Sequence, residues 1–503
     1  MRRDVMRSLH YVIFSLLFLL PQPVLALQWT AETSQAIDGV FAEYDRTSGP
    51  GCAVGVAEAG RLVFARGYGI GQMDHRIPLG GESVFYLASV SKQFAAAAIV
   101  IAEHEGHLSM DDPVSAHIPE FPTYAQGAVT IRHLVHHTSG VRDYLTLMRL
   151  AGTPYENILS DEDMLGLITR QRELNFVPGT EHLYSNSGYV LMAEIVKRAT
   201  GRSLRAYADE KIFRPLGMSN THFHDDRLQV VPGRVFSYDP PAAGAGRTDA
   251  DGRGRTGGGW RAGHGWRTSY LIDFDKVGDG GLYSSVADLA KWDRAFYEDV
   301  LGVPGFAERM YRRGVLAGGD TIAYARGLSV GERRGLARVS HGGGFMAFRT
   351  MIARYPEQRT TVITLCNVGT ANPGALSTAV EDIVLASAFT EPPEERVAPT
   401  SPAGAPGAAD EPAFAVSEAA VQALAGTYHS RELDATWRLE ADGTQLLLHH
   451  PRGDTETLTA RREDVFGSGG IEFAFEHDDG RAVAFLLAAG RVRNLRFERT
   501  DHP

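Results

Sequence analysis

Phe85-Tyr86-Leu87-Ala88-Ser89-Val90-Ser91-Lys92-Gln93-Phe94-Ala95-Ala96-Ala97-Ala98-Ile99-Val100-Ile101-Ala102-Glu103-His104-Glu105-Gly106 is the stretch on which the reading of this chain turns. Ser89-Val90-Ser91-Lys92 has the form S-x-x-K and runs into a helix-favouring segment rich in Ala, Ile and Val. A helix that starts at Ser89 places Lys92 one turn further on and on the same side. A hydroxyl and an amine then meet without any long-range folding event. Ser89 also stands at the positive end of the helix dipole, where a developing oxyanion is favoured. That is the chemistry of an activated nucleophile. An N-cap serine followed by a surface lysine has the same spelling, so the tetrad alone is a weak sign and the rest of the chain must supply the other groups.

The surrounding composition is that of an ordinary globular protein, with 44% hydrophobic and 22% charged residues. A length of 503 residues allows two large domains or about three of ordinary size. The formal net charge of -11 argues against a nucleic-acid partner, which shows itself as a basic excess. Residues 1–26 read as a targeting segment: Arg2, Arg3 and Arg7 form a positive start, Tyr11 to Leu20 a short apolar run, and Val24-Leu25-Ala26 a cleavage site. The apolar run is shorter than a membrane span and is followed by Pro21 and Pro23. Cleavage after Ala26, export to the periplasm or medium, and no stable membrane anchor are therefore expected. Cys52 and Cys366 both lie in strand-like sequence and read as reduced core thiols; a disulfide is sterically possible if their strands are antiparallel neighbours.

In chain order, Trp29 to Tyr44 reads as a helix, and Gly51 to Glu58 with Arg61 to Tyr68 as a hairpin about Ala59-Gly60. Val129 to Gly140 gives a short helix. Its His133, His136 and His137 lack the further ligand a metal site needs, so they read as structural. Leu183 to Tyr189 leads into an amphipathic helix that ends near Ala199 and is closed by Gly201. Ala242 to Gly265 is a long Gly/Arg-rich loop, read as a surface insertion rather than a lid. A helix is expected from Gly281 to Trp292. Leu336 to His341, Phe348 to Tyr355 and Thr360 to Cys366 read as three strands, the first two separated by Gly342-Gly343-Gly344, and a helix follows from Ala375 to Phe389. Strands at both ends with helices between them predict one α+β domain whose sheet joins the chain's beginning and end. Residues 391–413 are rich in Pro, Ala and Gly and read as a linker. After a short helix from Val416 to Leu424, Asp-Gly turns between alternating apolar runs predict a small antiparallel sandwich or barrel.

Ser89-x-x-Lys92, Tyr184-x-Asn186 and His341-Gly342-Gly343 occur in a fixed order, with matching surroundings across Trp29 to Phe389. Together they resemble the serine hydrolases related to class C β-lactamases and D-Ala-D-Ala carboxypeptidases. The resemblance implies an antiparallel sheet flanked by helices, with residues 27–390 as the hydrolase domain. It implies that Ser89 is acylated, that Lys92 and Tyr184 share the proton work, and that Asn186 positions Lys92 and a substrate amide. The backbone N–H groups of Ser89 and Gly344 would form an oxyanion hole, while His341, Gly342 and Gly343 line the substrate. No cofactor and no metal are implied. Residues 414–503, through Gly426-Thr427-Tyr428 and Leu495-Arg496-Phe497-Glu498, are similar to the lipocalin-like barrel appended to some of these hydrolases. No catalytic role is implied for that barrel; it reads as a packing or oligomerisation module.

His341 departs from the Lys-Thr-Gly that the β-lactamases of this family generally carry. A histidine there is only partly protonated near neutral pH and binds a substrate carboxylate less strongly than an ammonium. The expected activity is therefore acyl-enzyme hydrolysis of D-amino-acid-containing peptides, amides or esters, as in a D-Ala-D-Ala carboxypeptidase or D-aminopeptidase. The alternatives are a class C-like β-lactamase or carboxylesterase and, from another class, a penicillin-binding or sensing protein with little turnover. The expected partner is a small peptide, β-lactam or ester; the oligomeric state is not specified by the sequence.

Overall fold

The computed structural model describes residues 29–154, 157, 160–240, 265–269, 275–392, 414–451 and 455–500. The targeting segment, most of the Gly/Arg-rich loop and most of the linker thus lie outside the described residues. Strands β1 (Cys52–Glu58), β2 (Arg61–Tyr68), β3 (Ser329–Arg333), β4 (Leu336–Phe345), β5 (Phe348–Tyr355) and β6 (Thr360–Cys366) form one sheet in the order β3-β4-β5-β6-β1-β2. Every neighbouring pair is antiparallel, and β1 against β6 joins the two ends of the segment as the sequence predicts. The β1–β2 turn has both Ala59 (φ 50°) and Gly60 (φ 76°) in the left-handed region, the requirement of a two-residue turn that follows the strand twist.

Alternation along β1 decides what packs where. Cys52, Val54 and Val56 face a core shared with Ile37 and Phe41, at the end of helix α1 (Ala31–Val40). Ala53, Gly55 and Ala57 face the other way, and their small size lets a second helix layer come close. A Cβ on Gly55 would lie 2.2 Å from Cγ1 of Val286, the first residue of a helix introduced below. On that second side, helix α2 (Lys92–His104) is buried all round, from Lys92 through Ala102.

Four expectations need adjusting. The three glycines after His341 do not separate strands: β4 continues through them, with Gly342, Gly343 and Gly344 opposite Met351, Thr350 and Arg349. The turn comes later, at Met346 (φ 49°), because β5 offers the glycines paired backbone that a loop would leave unsatisfied. The stretch from Gly281 starts as the strand Leu282–Ser284, paired with Phe85–Tyr86, and becomes helical only at Val286–Asp293, where Ser285 caps the helix. The helix expected over Ala375 to Phe389 is Pro373–Val384. Cys52 and Cys366 are directly opposed across β1 and β6 and form a disulfide, so the reading of two reduced thiols is corrected.

A helix at Glu418–Leu424 introduces β7 (Gly426–Ser430), β8 (Ala435–Asp442), β9 (Gln445–His449), β10 (Thr455–Arg462), β11 (Val465–Ser468), β12 (Ile471–Asp478), β13 (Arg481–Ala489) and β14 (Val492–Arg499). These close into an eight-stranded antiparallel barrel. Its interior is filled by aromatic contacts such as Trp437–Phe497 and Phe485–Phe497, with ring centroids 4.7 and 4.8 Å apart.

The barrel sits against the first unit through a buried arginine. The Arg142 guanidinium donates to Glu432 Oε2 (2.5 Å), Gln171 Oε1 (3.0 Å) and the carbonyls of Arg493 (2.9 Å) and Asn494 (2.7 Å). Trp437 Nε1 donates to the Leu150 carbonyl. Taking one partner from a buried ion pair leaves an uncompensated charge, so Glu432→Ala should cost about 3 kcal/mol in a denaturant titration. Titrating the denatured, unreduced protein with a thiol reagent should find no free thiol. Replacing both cysteines by serine should lower stability, by up to about 5 kcal/mol for a loop this long.

Candidate active site

The turn before Ser89 is strained. Ala88 takes φ 49°, uncommon for a residue with a side chain, and opens a 3-10 turn (Ala88–Ser91) that runs into α2. Three contacts hold the turn. Leu87 N donates to the Leu282 carbonyl, Ser91 Oγ accepts from Leu282 N, and Thr350 Oγ1 donates to the Leu87 carbonyl. A Cβ on Gly343 would lie 2.3 Å from the Leu87 oxygen and 3.1 Å from Ser89 N, so only glycine lets β4 lie this close to the Ser89 turn.

Lys92 is fully buried and Nζ has three partners: Ser89 Oγ at 3.2 Å, Asn186 Oδ1 at 2.8 Å and the Asp279 carbonyl at 2.7 Å. An ammonium has three hydrogens and no acceptor, so the set is complete. Two of the partners only accept; the serine hydroxyl alone can also donate. When Lys92 loses a proton, its lone pair can therefore face only Ser89. Burial pulls the Lys92 pKa down from 10.5 to about 8, against the opposing pull of Asp279 and Asp143. The arrangement can accept the Ser89 proton.

Asn186 opens the helix Asn186–Thr200, with Gly201 (φ 72°) ending it as the sequence predicts. Its amide is oriented by Asp143, whose Oδ2 accepts from both Asn186 N and Nδ2 at 2.8 Å. Asp143 Oδ1 at the same time caps the helix Tyr144–Leu150. The Tyr184 ring is in contact with two cations, Lys92 Nζ at 4.9 Å and the Arg491 guanidinium at 4.7 Å from the ring centroid. Burial pushes its phenol above the ordinary value, and the hydrogen bond with Ser89 and the charge of Arg491 only partly oppose this. It is therefore a proton donor rather than a ready base.

His341 is also buried, and both ring nitrogens are engaged. Nδ1 lies 2.7 Å from the Gly342 carbonyl, so it carries the hydrogen, and Nε2 accepts from the Tyr324 hydroxyl at 2.9 Å. Burial, helped by the Lys92 charge, drops its pKa to about 4. The expected partly protonated histidine is thus a neutral ring with no donor left for a carboxylate. Beyond it, β4 has an open edge: β3 pairs only as far as Ser340, so His341 to Phe345 meet no second strand among the described residues. Gly344 on that edge and Ser89 line one cavity of about 350 Å³ with Tyr184, Asn186, His341 and Arg491.

All the residues singled out from sequence thus converge, but several functional neighbours were missed. Asp143, Asp279, Lys276 and Tyr144 form the buried support. Lys276 Nζ pairs with Asp279 Oδ1 at 2.5 Å, and Tyr144 donates to its Oδ2. Asp143 stands three residues after Gly140 and Asp279 in a Gly-Asp-Gly turn, which are faint signals at best. Arg491, in the β13–β14 turn, had none. The three histidines are used locally. His133 completes a capping box with Thr130, His136 bonds two carbonyls, and His137 accepts from Ser185 N and packs 4.1 Å from the Tyr184 ring.

A family model described as Beta-lactamase matches residues 37–386. The chain is 33% identical over 314 residues to penicillin-binding protein 4* of Bacillus subtilis, covering 62% of this chain and 66% of that protein. It is 26% identical over 326 residues to a D-aminopeptidase of Gluconobacter oxydans, covering 64% of this chain and 56% of that one. The match thus spans 56–66% of the length of these relatives. Among solved structures, the octameric penicillin-binding protein homologue from Pyrococcus abyssi superposes with a TM-score of 0.57 at 22% identity, over 93% of this chain and 99% of that one.

Replacing Tyr324 by Phe removes the hydroxyl that donates to His341 Nε2. Because burial and the Lys92 charge lower the pKa, the imidazole midpoint followed by nitrogen NMR should stay near 4 in that variant. A midpoint that climbs into the ordinary range would assign the neutrality to the Tyr324 donor instead.

Proposed function

Because the chain belongs to the beta-lactamase family, we propose that it is an exported serine hydrolase that works through an acyl-enzyme on D-amino-acid-containing peptides, amides or esters. The observation that carries this is the Lys92 amine, confined to one amphoteric partner, Ser89 Oγ. As the Ser89 Oγ–carbon bond forms, its proton passes to neutral Lys92 and the carbonyl π pair moves onto oxygen. That oxygen is received by the N–H groups of Ser89 and Gly344, each worth about 3 kcal/mol in the barrier. On collapse the carbon–leaving-group bond breaks, and the proton held by Lys92 reaches the departing atom through the still-protonated Tyr184 phenol. Water then repeats the sequence on the ester. Lys92 is the base and Tyr184 the relay in this reading, because burial moves the first pKa toward neutrality and the second away from it.

The D configuration rests on the relatives named D-aminopeptidase. A neutral His341 weighs against efficient β-lactam turnover. A β-lactam remains the second reading, favoured by the similarity to a penicillin-binding protein, and a cephalosporin turned over far faster than a D-Ala-D-Ala peptide would reverse the order. Export is supported by the spelling of residues 1–26 and by the disulfide, which suits an oxidising compartment.

A fluorophosphonate should add to Ser89 and to no other residue by peptide mass mapping, and Ser89→Ala should abolish both labelling and turnover with the melting curve nearly unchanged. Intact turnover in that variant would refute the mechanism. Because Lys92 must be neutral to accept the proton, kcat/KM should rise with pH through a midpoint near 8 and level off above it. A profile already flat from pH 6 would remove Lys92 from the role of base.

A further inference from the structure

We propose that Arg491, carried in from the barrel, is the specificity residue that binds a carboxylate on the leaving group of the substrate. The inference deepens the hydrolase reading above and rests on it. Ala489 pairs with Val492, leaving Gly490-Arg491 as a two-residue turn between β13 and β14. Gly490 takes φ 55°, which such a turn needs at its first position, and Arg491 stands at the tip. The tip is fixed through its own main chain: the Arg491 carbonyl accepts from Asn175 Nδ2 at 3.0 Å and from Asp143 N at 3.4 Å, and Arg493 N donates to Asn175 Oδ1 at 2.7 Å. The side chain is thereby aimed without being tied.

Its guanidinium lies over the Tyr184 ring and on the wall of the cavity that holds Ser89. Among the described residues its ion-pair partner is Asp143, with Oδ2 at 3.7 Å, too long for a hydrogen bond, and that oxygen is already occupied by Asn186. Arg491 remains 44% exposed, so it keeps planar paired donors suited to a carboxylate.

The other cations of the site cannot serve. Lys92 has its three partners, Lys276 is paired with Asp279 in a buried contact, and His341 has neither charge nor spare donor. Asp143 is buried behind the cavity wall, and Asp279, which lines the cavity, is itself buried with one carboxylate oxygen paired to Lys276 and the other accepting from Tyr144. The accessible charge is therefore positive, which attracts a terminal carboxylate and repels a terminal ammonium. Because Tyr184 relays the proton to the departing atom, a group above its ring meets the leaving-group side. The structure thus favours substrates that release a carboxylate-bearing fragment, the pattern of a carboxypeptidase, over the amine recognition of an aminopeptidase.

Four aryl esters separate this inference from the reading beneath it: the phenyl and 3-carboxyphenyl esters of N-acetyl-D-alanine and of N-acetyl-L-alanine. Preference for D over L tests the hydrolase reading; preference for carboxyphenyl over phenyl tests Arg491. The wild-type protein should favour the carboxylate by roughly tenfold to a hundredfold in kcat/KM, mainly through KM. Arg491→Gln should bring that ratio close to one, and Arg491→Lys should restore part of it, with a melting curve confirming that the barrel stays docked. A wild-type ratio near one would overturn the proposal. So would a ratio that survives Arg491→Gln, or a loss in kcat equal for both esters. Loss of D preference alone, with the carboxylate ratio intact, would sink the D-amino-acid reading and leave Arg491 standing.

Discussion

An ammonium sealed from water at the start of a buried helix is the constraint on which the rest depends. Stripping an amine of solvent costs several kcal/mol unless each hydrogen finds an acceptor in place. Lys92 finds them on three different parts of the chain: the turn before its own helix, the first residue of the Asn186–Thr200 helix, and the glycine-rich turn at Asp279. Each is fixed in turn by something further out, Asn186 by Asp143 and the Asp279 side chain by Lys276 and Tyr144. The site is thus a nested set of compensations for one buried charge. The depressed basicity useful for proton transfer follows from the same burial.

The grouping of the site residues was legible in the sequence, and their electrostatics were not. Ser89 and Lys92 are close in the chain, so helical geometry alone pairs them. Tyr184, Asn186 and His341 were reached only through motif order. The sheet was legible because its strands alternate or run apolar and are bounded by Gly and Pro. The three glycines misled for a physical reason: glycine usually marks a break, but here its lack of a side chain lets a continuous strand lie against the nucleophile turn. His341 was read by its solution titration, which burial and the Lys92 charge override. The barrel was recognisable from its hairpins, yet nothing in Ala489-Gly490-Arg491 marks a contact that forms about three hundred residues away.

Asp143 connects the two parts of the molecule. Its amide donates to the Arg491 carbonyl of the barrel, one carboxylate oxygen orients Asn186, and the other caps a helix whose last carbonyl receives Trp437 of the barrel. Arg142, next to it, is held by Glu432 and two barrel carbonyls. The seating of the barrel and the setting of the Asn186 amide therefore share adjacent residues. A shift of one is felt by the other without any long pathway between them.

The bridge between Cys52 and Cys366 has a consequence for the covalent continuity of the molecule. It links the first strand of the sheet to the last across a sequence separation of 314 residues, making that part of the chain a closed ring. Ser89, Tyr184, Asn186, Asp279 and His341 all lie inside it. A single cut anywhere in the ring, including the Gly/Arg-rich stretch, opens the circle without releasing a fragment. In an oxidising medium, a chain cleaved once would remain one molecule with all these groups still attached.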